Sequence, residues 1–236
     1  MASTSIRQHF KPGLDSLRAM WPPMLLVQSI MIAVIIGYFR VPIITSGLNN
    51  IADFKDQPGI WFVLASGFIA GGFIPEIAKP LVGRMPKLNK EWLSLTIYTS
   101  TVYMGITLIV YYMFKFQVVM FGDDGSPLMV AKKVIFDQLI FSPFLSIPLG
   151  VGLFKWRQQN FRFTAWQQVT RPELYKKNVF PALIMCWAYW GPITIGMYFL
   201  PEKVQFIAST FCQAAWSLLF VFMVQKPHAV PNPPPE

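Results

Sequence analysis

The chain has 236 residues and a formal net charge of +9, with 54% hydrophobic residues and only 13% charged residues. A soluble domain carries about 25% charged residues, so the composition excludes an ordinary soluble fold. The apolar residues fall into blocks of about 20, the length of helix that crosses roughly 30 Å of hydrocarbon. The sequence therefore predicts an all-α fold, a polytopic transmembrane helix bundle of about six spans in a lipid bilayer.

The predicted spans divide the chain into a membrane domain, 21–225, with a terminal segment on either side. Residues 1–20 are polar and basic, and we interpret them as an anchor on the cytoplasm-equivalent side; an organelle targeting segment is the alternative. We place the spans near residues 21–39, 60–78, 92–114, 128–154, 182–200 and 204–224. Residues 226–236 are rich in proline and are predicted to be disordered.

Prolines and glycines mark the expected helix boundaries. Pro22 and Pro23 suit the first turn of span one, and Gly125-Ser126-Pro127 predicts an N-cap and first turn for span four. Residues 40–59 contain Pro, Gly, Asn and Asp and are predicted to form a loop. Gly191-Pro192 is expected to break span five.

The segment 155–180 is the most basic part of the chain, and aromatic residues are interleaved with its charges. This mixture is typical of a helix that lies in the membrane interface, with its rings at headgroup depth. Single-stranded nucleic acid is bound by the same mixture of basic and aromatic residues, but next to two spans the lipid surface is the better partner, and we expect no bound nucleic acid.

The distribution of Lys and Arg predicts the orientation in the membrane. The termini and the loops that lie with them on one side hold 14 of these residues, and the loops on the other side hold 6. The positive-inside rule then puts both termini on the cytoplasm-equivalent side.

Asp137 is the acid that lies well inside a predicted span. Insertion scales give Asp a cost of about 2.5 to 3.5 kcal/mol at a helix centre, so its presence needs a reason. Two interpretations are open. Asp137 pairs with Lys133, one turn earlier, or caps a neighbouring helix; alternatively, it is a carboxylate that senses a solute or proton in a wet cavity.

Hydroxyl and amide side chains recur at helical spacing on three predicted spans. These are Thr96, Ser100, Tyr103 and Thr107 in span three, Gln138, Ser142, Ser146 and Gly150 in span four, and Ser209, Gln213 and Ser217 in span six. Such faces either hold helices together by hydrogen bonds or line a water-filled path for small polar solutes. In span two, Gly67 and Gly71 have the GxxxG spacing that favours close helix packing, either within the chain or in a homo-oligomer.

The residue types that carry catalysis or bind metals are sparse. Cys186 and Cys212 lie in apolar blocks and are expected to act as small hydrophobic residues. His9 and His228 lie outside the spans, so we expect no intramembrane metal or haem site and no cofactor. No nucleophile–base–acid set is visible, so we expect no enzyme activity.

Several of these residues also form a recognisable pattern. Lys133-x-x-x-Asp137-Gln138-x-x-x-x-Pro143 resembles the lysine–aspartate–glutamine–proline signature of the peroxisomal-membrane-protein/Mpv-seventeen family. The C-terminal pattern of that family is similar to Trp190-Gly191-Pro192, Leu200-Pro201 and Trp216-Ser217 here. Its second-span Gly-Pro is similar to Gly71-Gly72 and Pro75.

The resemblance implies a pore-like or solute-handling protein of a mitochondrial inner or peroxisomal membrane, with span 92–114 as an insertion. It also implies structural roles for Lys133, Pro143, Trp190, Pro192, Pro201 and Trp216. As prolines within predicted spans, Pro143 and Pro192 are expected to kink their helices. A bacterial inner-membrane relative is equally compatible with these residues.

The leading hypothesis for the function is a narrow pore or carrier for small polar metabolites. Its expected lining residues are Asp137, Gln138, Ser142, Ser146, Ser209, Gln213 and Ser217. The alternative hypothesis is a non-transporting membrane scaffold or assembly factor, in which the same polar groups only join helices.

Overall fold

A computed structural model describes residues 2–78 and 89–224, and within these ranges the chain is helical with no strand. The predicted tail, 226–236, lies outside the described residues. In chain order we label the helices α1 (Ala2–Arg40), α2 (Pro42–Asp56), α3 (Ile60–Phe68, Ile69–Phe73 and Ile74–Ala78), α4 (Lys90–Phe121), α5 (Pro127–Phe136, Asp137–Ser146 and Ile147–Gln158), α6 (Gln167–Thr170), α7 (Pro172–Asn178), α8 (Phe180–Met197) and α9 (Glu202–Val224).

The described helices confirm the predicted all-α bundle, and their apolar character is typical of a membrane protein. Five stretches are long and apolar enough to cross a membrane: Trp21–Arg40, Ile60–Ile77, Lys90–Phe121, Pro127–Gln158 and Phe180–Met197. The 23 residues of α9 form a helix of sufficient length but are not among these five. The sixth span therefore stays a prediction.

Two predictions about the first third of the chain were wrong. Pro22 and Pro23 do not begin a helix, because α1 starts at Ala2 and runs through them as one helix of 39 residues. Residues 40–59 do not form a loop, because Pro42–Asp56 is helical. Pro42 stands in the first turn of α2, where its missing N–H is not needed, and the buried Leu48 and Ala52 attach that helix to the bundle.

The expected cap of span four is confirmed, while the expected break in span five is not found. The Ser126 hydroxyl accepts a hydrogen bond from the Met129 amide at 3.2 Å, and Pro127 follows it in the first turn of α5. The helix α8 continues through Gly191 and Pro192 to Met197. Proline in a helix frees the carbonyl four residues earlier, here that of Ala188. The Gln28 amide of α1 donates to that carbonyl at 2.7 Å, which replaces the lost hydrogen bond.

Two helices widen into π-helical turns next to a proline. Ile69–Phe73 in α3 lies just before Pro75, and Asp137–Ser146 in α5 contains Pro143. A π-helical turn shifts the hydrogen bond from i→i+4 to i→i+5 and accommodates a residue that lacks an N–H. In α5 this change of register alters which side chains share a face.

The helices α4, α5, α8 and α9 enclose the centre of the bundle, and α1, α2 and α3 pack on its outside. α1 lies along α8, where it supplies the Gln28 contact. α2 lies against α9, with the Lys203 ammonium 3.1 Å from the Asp53 carboxylate. α3 lies against α4.

The contact between α3 and α4 depends on glycine. A Cβ added at Gly67 would lie 2.6 Å from the Thr107 hydroxyl, and at Gly71 and Gly72 it would overlap Tyr103 and Ser100. The two helix backbones approach this closely because none of the three residues has a side chain. Three of the four hydroxyl side chains predicted to share a face of α4 are therefore packed against α3.

We predict that Gly72→Ala lowers the stability of the bundle by about 1 to 3 kcal/mol, because the methyl group collides with the Ser100 backbone. The measurement is the midpoint of reversible unfolding in detergent, followed by circular dichroism. Gly105→Ala in α4 is the matched control, since no atom lies within 4 Å of its Cβ position. Equal midpoints for the two variants would contradict the packing described here.

Candidate functional site: a cavity among four helices

A cavity of about 70 Å³ lies at the centre of the bundle. It is lined from α4 by Tyr103, Ile106, Val110, Met113 and Phe114, from α5 by Asp137, Phe141, Ser142, Ser146, Ile147 and Gly150, from α8 by Cys186, Trp190, Thr194 and Met197, and from α9 by Ser209, Gln213, Trp216 and Phe220. Each helix contributes residues at spacings of three, four or five, so one face of each helix borders the same space.

The polar wall of the cavity comes mainly from α5. The sequence spacing predicted a line through Gln138, Ser142, Ser146 and Gly150, but in the structure Asp137 takes the place of Gln138. The π-helical turn explains the change, because its i→i+5 register aligns Asp137 with Ser142. From Ser142 onward the spacing of four holds, and the line continues to Gly150.

Asp137 does not pair with Lys133, so the predicted pairing was wrong. The carboxylate of Asp137, whose residue is only 7% exposed, accepts a hydrogen bond from the Tyr198 hydroxyl at 3.1 Å. The ammonium of Lys133, fully buried, lies 3.2 Å from Asp123 Oδ1 and 5.9 Å from the centre of the Tyr198 ring. Among the described residues, Asp137 takes part in no ion pair.

Asp123 joins three parts of the fold. It lies in the short connection between α4 and α5, and its Oδ1 binds Lys133 of α5. Its Oδ2 accepts a hydrogen bond from the Glu202 amide at 3.1 Å, at the first residue of α9. A carboxylate at a helix N-terminus is favourable, because unpaired amides and the helix dipole meet it there.

Gln138 and Ser217, both predicted to line a path, do not border the cavity. In the π register the Gln138 carbonyl would bond to the amide of residue 143, which is a proline. The Trp187 indole N–H of α8 donates to this carbonyl at 2.7 Å instead. Ser217 donates to the Ala214 carbonyl of its own helix at 3.0 Å. Gln138 therefore joins α5 to α8, whereas the hydroxyl of Ser217 is occupied within its own helix.

The polar residues of α9 that reach the cavity are Ser209 and Gln213. The Gln213 amide nitrogen also donates to the Thr107 hydroxyl at 2.7 Å and ties α9 to α4. The Ser209 hydroxyl donates to the Phe206 carbonyl one turn earlier at 2.8 Å. One side chain can thus both border the cavity and join two helices.

Aromatic residues of α8 and α9 form the apolar wall. The rings of Trp190 and Trp216, which the family resemblance marks as structural, pack edge to face with centres 6.3 Å apart. Trp216 also packs against Phe220, with centres 5.6 Å apart. Both tryptophans border the cavity as well as joining α8 to α9.

Sequence reasoning missed several members of the site. Tyr198 and Asp123 lie outside the helical stripes, and no local pattern marks them as partners of Asp137 and Lys133. The spacing assigned Tyr103 to a hydroxyl face but did not predict that it borders the cavity. Tyr103 is 2% exposed, and its hydroxyl has no hydrogen-bond partner in the described structure. The burial of this hydroxyl and its lack of a partner follow from the packing of the helices and not from the local sequence.

Comparison with protein-family models, curated proteins and solved structures found no match to this chain. The resemblance to the peroxisomal-membrane-protein/Mpv-seventeen family therefore stays a prediction. Of the residues that carry it, Trp190, Trp216 and Asp137 border the cavity, whereas Lys133 forms the ion pair with Asp123.

We predict that Asp123→Asn destabilises the protein by about 2 kcal/mol, because it leaves the buried Lys133 ammonium without an anion; the loss is smaller than for a fully buried pair, since the Asp123 side chain is 30% exposed. Asn keeps an oxygen for the Glu202 amide, so the change isolates the ion pair. Adding Lys133→Met removes the stranded charge, and we expect the double variant to recover much of the loss. Reversible unfolding in mixed micelles measures these free energies.

The exposed pair of Lys176 and Glu173 provides the control for this cycle. Glu173→Gln is expected to change the free energy of unfolding by less than about 0.5 kcal/mol, as is usual for a solvated pair. If the Asp123 variant were no less stable than this control, Lys133 would not depend on Asp123.

Proposed function

We propose that this membrane protein is a carrier or narrow pore for a small polar solute and that the central cavity is its binding site. The observation that carries the proposal is the meeting of Asp137, Ser146 and Gln213, from two helices, at one cavity inside an apolar bundle. Buried polar groups in a membrane are costly, so their convergence on a shared space favours a role in handling solute or water.

The size of the cavity supports a single small occupant. Its volume of about 70 Å³ suits a few water molecules or a solute with a handful of heavy atoms. Such a site is compatible with one binding step in a carrier, or with the narrowest point of a pore. It does not support a wide channel.

A mitochondrial inner or peroxisomal membrane is the proposed location, and the family resemblance is its support. The apolar helices are compatible with any bilayer. Solute handling in an organelle membrane would also agree with the role that the resemblance implies.

We predict that Ser146→Leu lowers solute uptake by protein-containing liposomes, because the larger side chain fills the cavity. The expected decrease is about tenfold or more, equivalent to about 1.4 kcal/mol of lost solute interaction. Uptake is measured with a panel of small neutral, anionic and cationic solutes. Leu139→Phe is the matched control, since it adds bulk to an exposed position of the same helix and should leave uptake unchanged.

Two outcomes would contradict the proposal. One is uptake by the wild-type protein that equals uptake by empty liposomes for every solute of the panel. The other is uptake that Ser146→Leu and Leu139→Phe reduce equally, which would separate transport from the cavity.

A non-transporting scaffold or assembly factor is the second candidate, and a specific set of contacts favours it. Polar side chains satisfy main-chain carbonyls of neighbouring helices: Trp187 bonds to Gln138, Tyr189 to Cys212 at 2.7 Å, and Gln28 to Ala188. In a scaffold, every polar group would serve in this way and none would meet solvent.

Cysteine accessibility separates the two candidates. In a chain whose native cysteines are replaced, we predict that Ser146→Cys reacts with a small water-soluble thiol reagent and that Ser217→Cys does not. Both positions carry the same residue, but only Ser146 borders the cavity. Resistance of both positions would favour the scaffold and contradict a solvated cavity.

A further inference from the structure

We propose that the solute of the central cavity is a small organic cation, of the alkylammonium class. This inference rests on the proposed function, since it assigns a chemical class to the same site. Three independent features of the cavity point to a cation: its charge, its aromatic wall and its hydrogen-bonding groups.

The residues that line the cavity include one acid and no base. Asp137 is the one lining residue with a carboxylate, and none of the lining residues is Lys, Arg or His. The nearest cationic residue along α5 is Lys133, and its ammonium already lies 3.2 Å from Asp123 Oδ1. A buried carboxylate without a cation is unfavourable in a low-dielectric interior. A bound cation would supply the positive charge that no lining residue provides.

The aromatic residues of the cavity lining are suited to a cation. Trp190, Trp216 and Phe220 border the cavity from α8 and α9, and Tyr103 and Phe114 border it from α4. The faces of aromatic rings attract ammonium groups, Trp most strongly, and an aromatic cage beside a carboxylate is a recurring way to bind alkylated amines. An anion would meet repulsion from both the carboxylate and the ring faces.

The hydrogen-bonding groups of the cavity lining also suit a ligand that donates hydrogen bonds. An alkylammonium group has N–H donors and no acceptor. The Tyr103 hydroxyl is buried at the cavity and lacks a partner within the described structure, so its oxygen is available to accept. The Gln213 amide nitrogen donates one of its two N–H groups to Thr107, and its carbonyl oxygen is an acceptor for an N–H group.

The native cysteines allow a direct test. Cys186 borders the cavity and Cys212 does not, so a Cys212→Ala chain has one reporter thiol inside the site. Its reaction rate is measured with aminoethyl and sulfonatoethyl methanethiosulfonates, which carry opposite charges on side chains of similar size. Each rate is normalised to the reaction with a small thiol in solution.

We expect the cationic reagent to react at least about tenfold faster, a difference of about 1.4 kcal/mol. Asp137→Asn, which keeps the shape of the side chain, should bring the two rates within about twofold by removing the Coulomb attraction. Trp190→Leu, which changes no charge, should lower the preference by about threefold through the lost aromatic face. Ethylammonium should slow the reaction of Cys186, and acetamide should not.

Asp124→Asn is the matched control for charge. It removes a carboxylate from the exposed connection before α5, where the Ser126 amide donates to Asp124 at 2.9 Å and holds its pKa below the ordinary value. Because its carboxylate is ionised at neutral pH, this variant removes one negative charge from the chain. The reagent preference should be unchanged in it.

The outcomes separate this inference from the proposed function. Equal rates for the two reagents, a preference for the anionic one, or no reaction of Cys186 with either would overturn the cation assignment. Solute uptake by liposomes without any charge preference would leave transport standing and remove only the cation. A charge preference without uptake would support the cation site and contradict transport.

Discussion

The ion pair between Lys133 and Asp123 determines the electrostatics of the whole site. Lys133 lies one turn before Asp137 on the same helix, and a pair between them would have neutralised both charges within α5. Instead, the Lys133 ammonium is held by an acid from the preceding connection, which also meets the first amide of α9. Asp137 is left with a neutral partner, the Tyr198 hydroxyl, at the edge of a cavity. The proposed cation site is a direct consequence of this pairing.

A second constraint is the number of prolines inside the helices. Each removes an amide donor, and hydrocarbon offers no water to replace it. Side-chain donors from neighbouring helices replace the missing amides: Gln28 donates to the Ala188 carbonyl, and Trp187 donates to the Gln138 carbonyl. These contacts require the helices to lie in one relative register. The same register aligns the faces that enclose the cavity.

Much of the fold could be predicted from the sequence, because hydrophobic blocks and caps are local signals. The Ser126 cap was found in this way, as were the apolar helices of the bundle. The helical state of residues 42–56 could not be found locally. Turn-forming residues there are outweighed by the burial of Leu48 and Ala52 against the other helices.

The candidate site was predicted only in part, and the reason is the change of helical register at Pro143. A spacing of four selected Gln138, but the π-helical turn placed Asp137 on the cavity face. The Gln138 side chain instead donates a hydrogen bond to the Thr194 hydroxyl of α8. Ser142, Ser146 and Gln213 border one space in the structure, since ordinary helical spacing holds for them. The partner of Asp137 could not be read from the sequence, because 61 residues separate it from Tyr198.

We propose that the Asp137 carboxylate faces a space in which an added cation, and not Lys133, becomes its counterion. Infrared difference spectroscopy of the protein in lipid, on addition of ethylammonium, tests this most directly. We expect a change in the carboxylate stretching bands that is present in the wild-type protein and absent in Asp137→Asn. Identical difference spectra for the two proteins would show that the cation does not contact Asp137 and would contradict the proposed cation site.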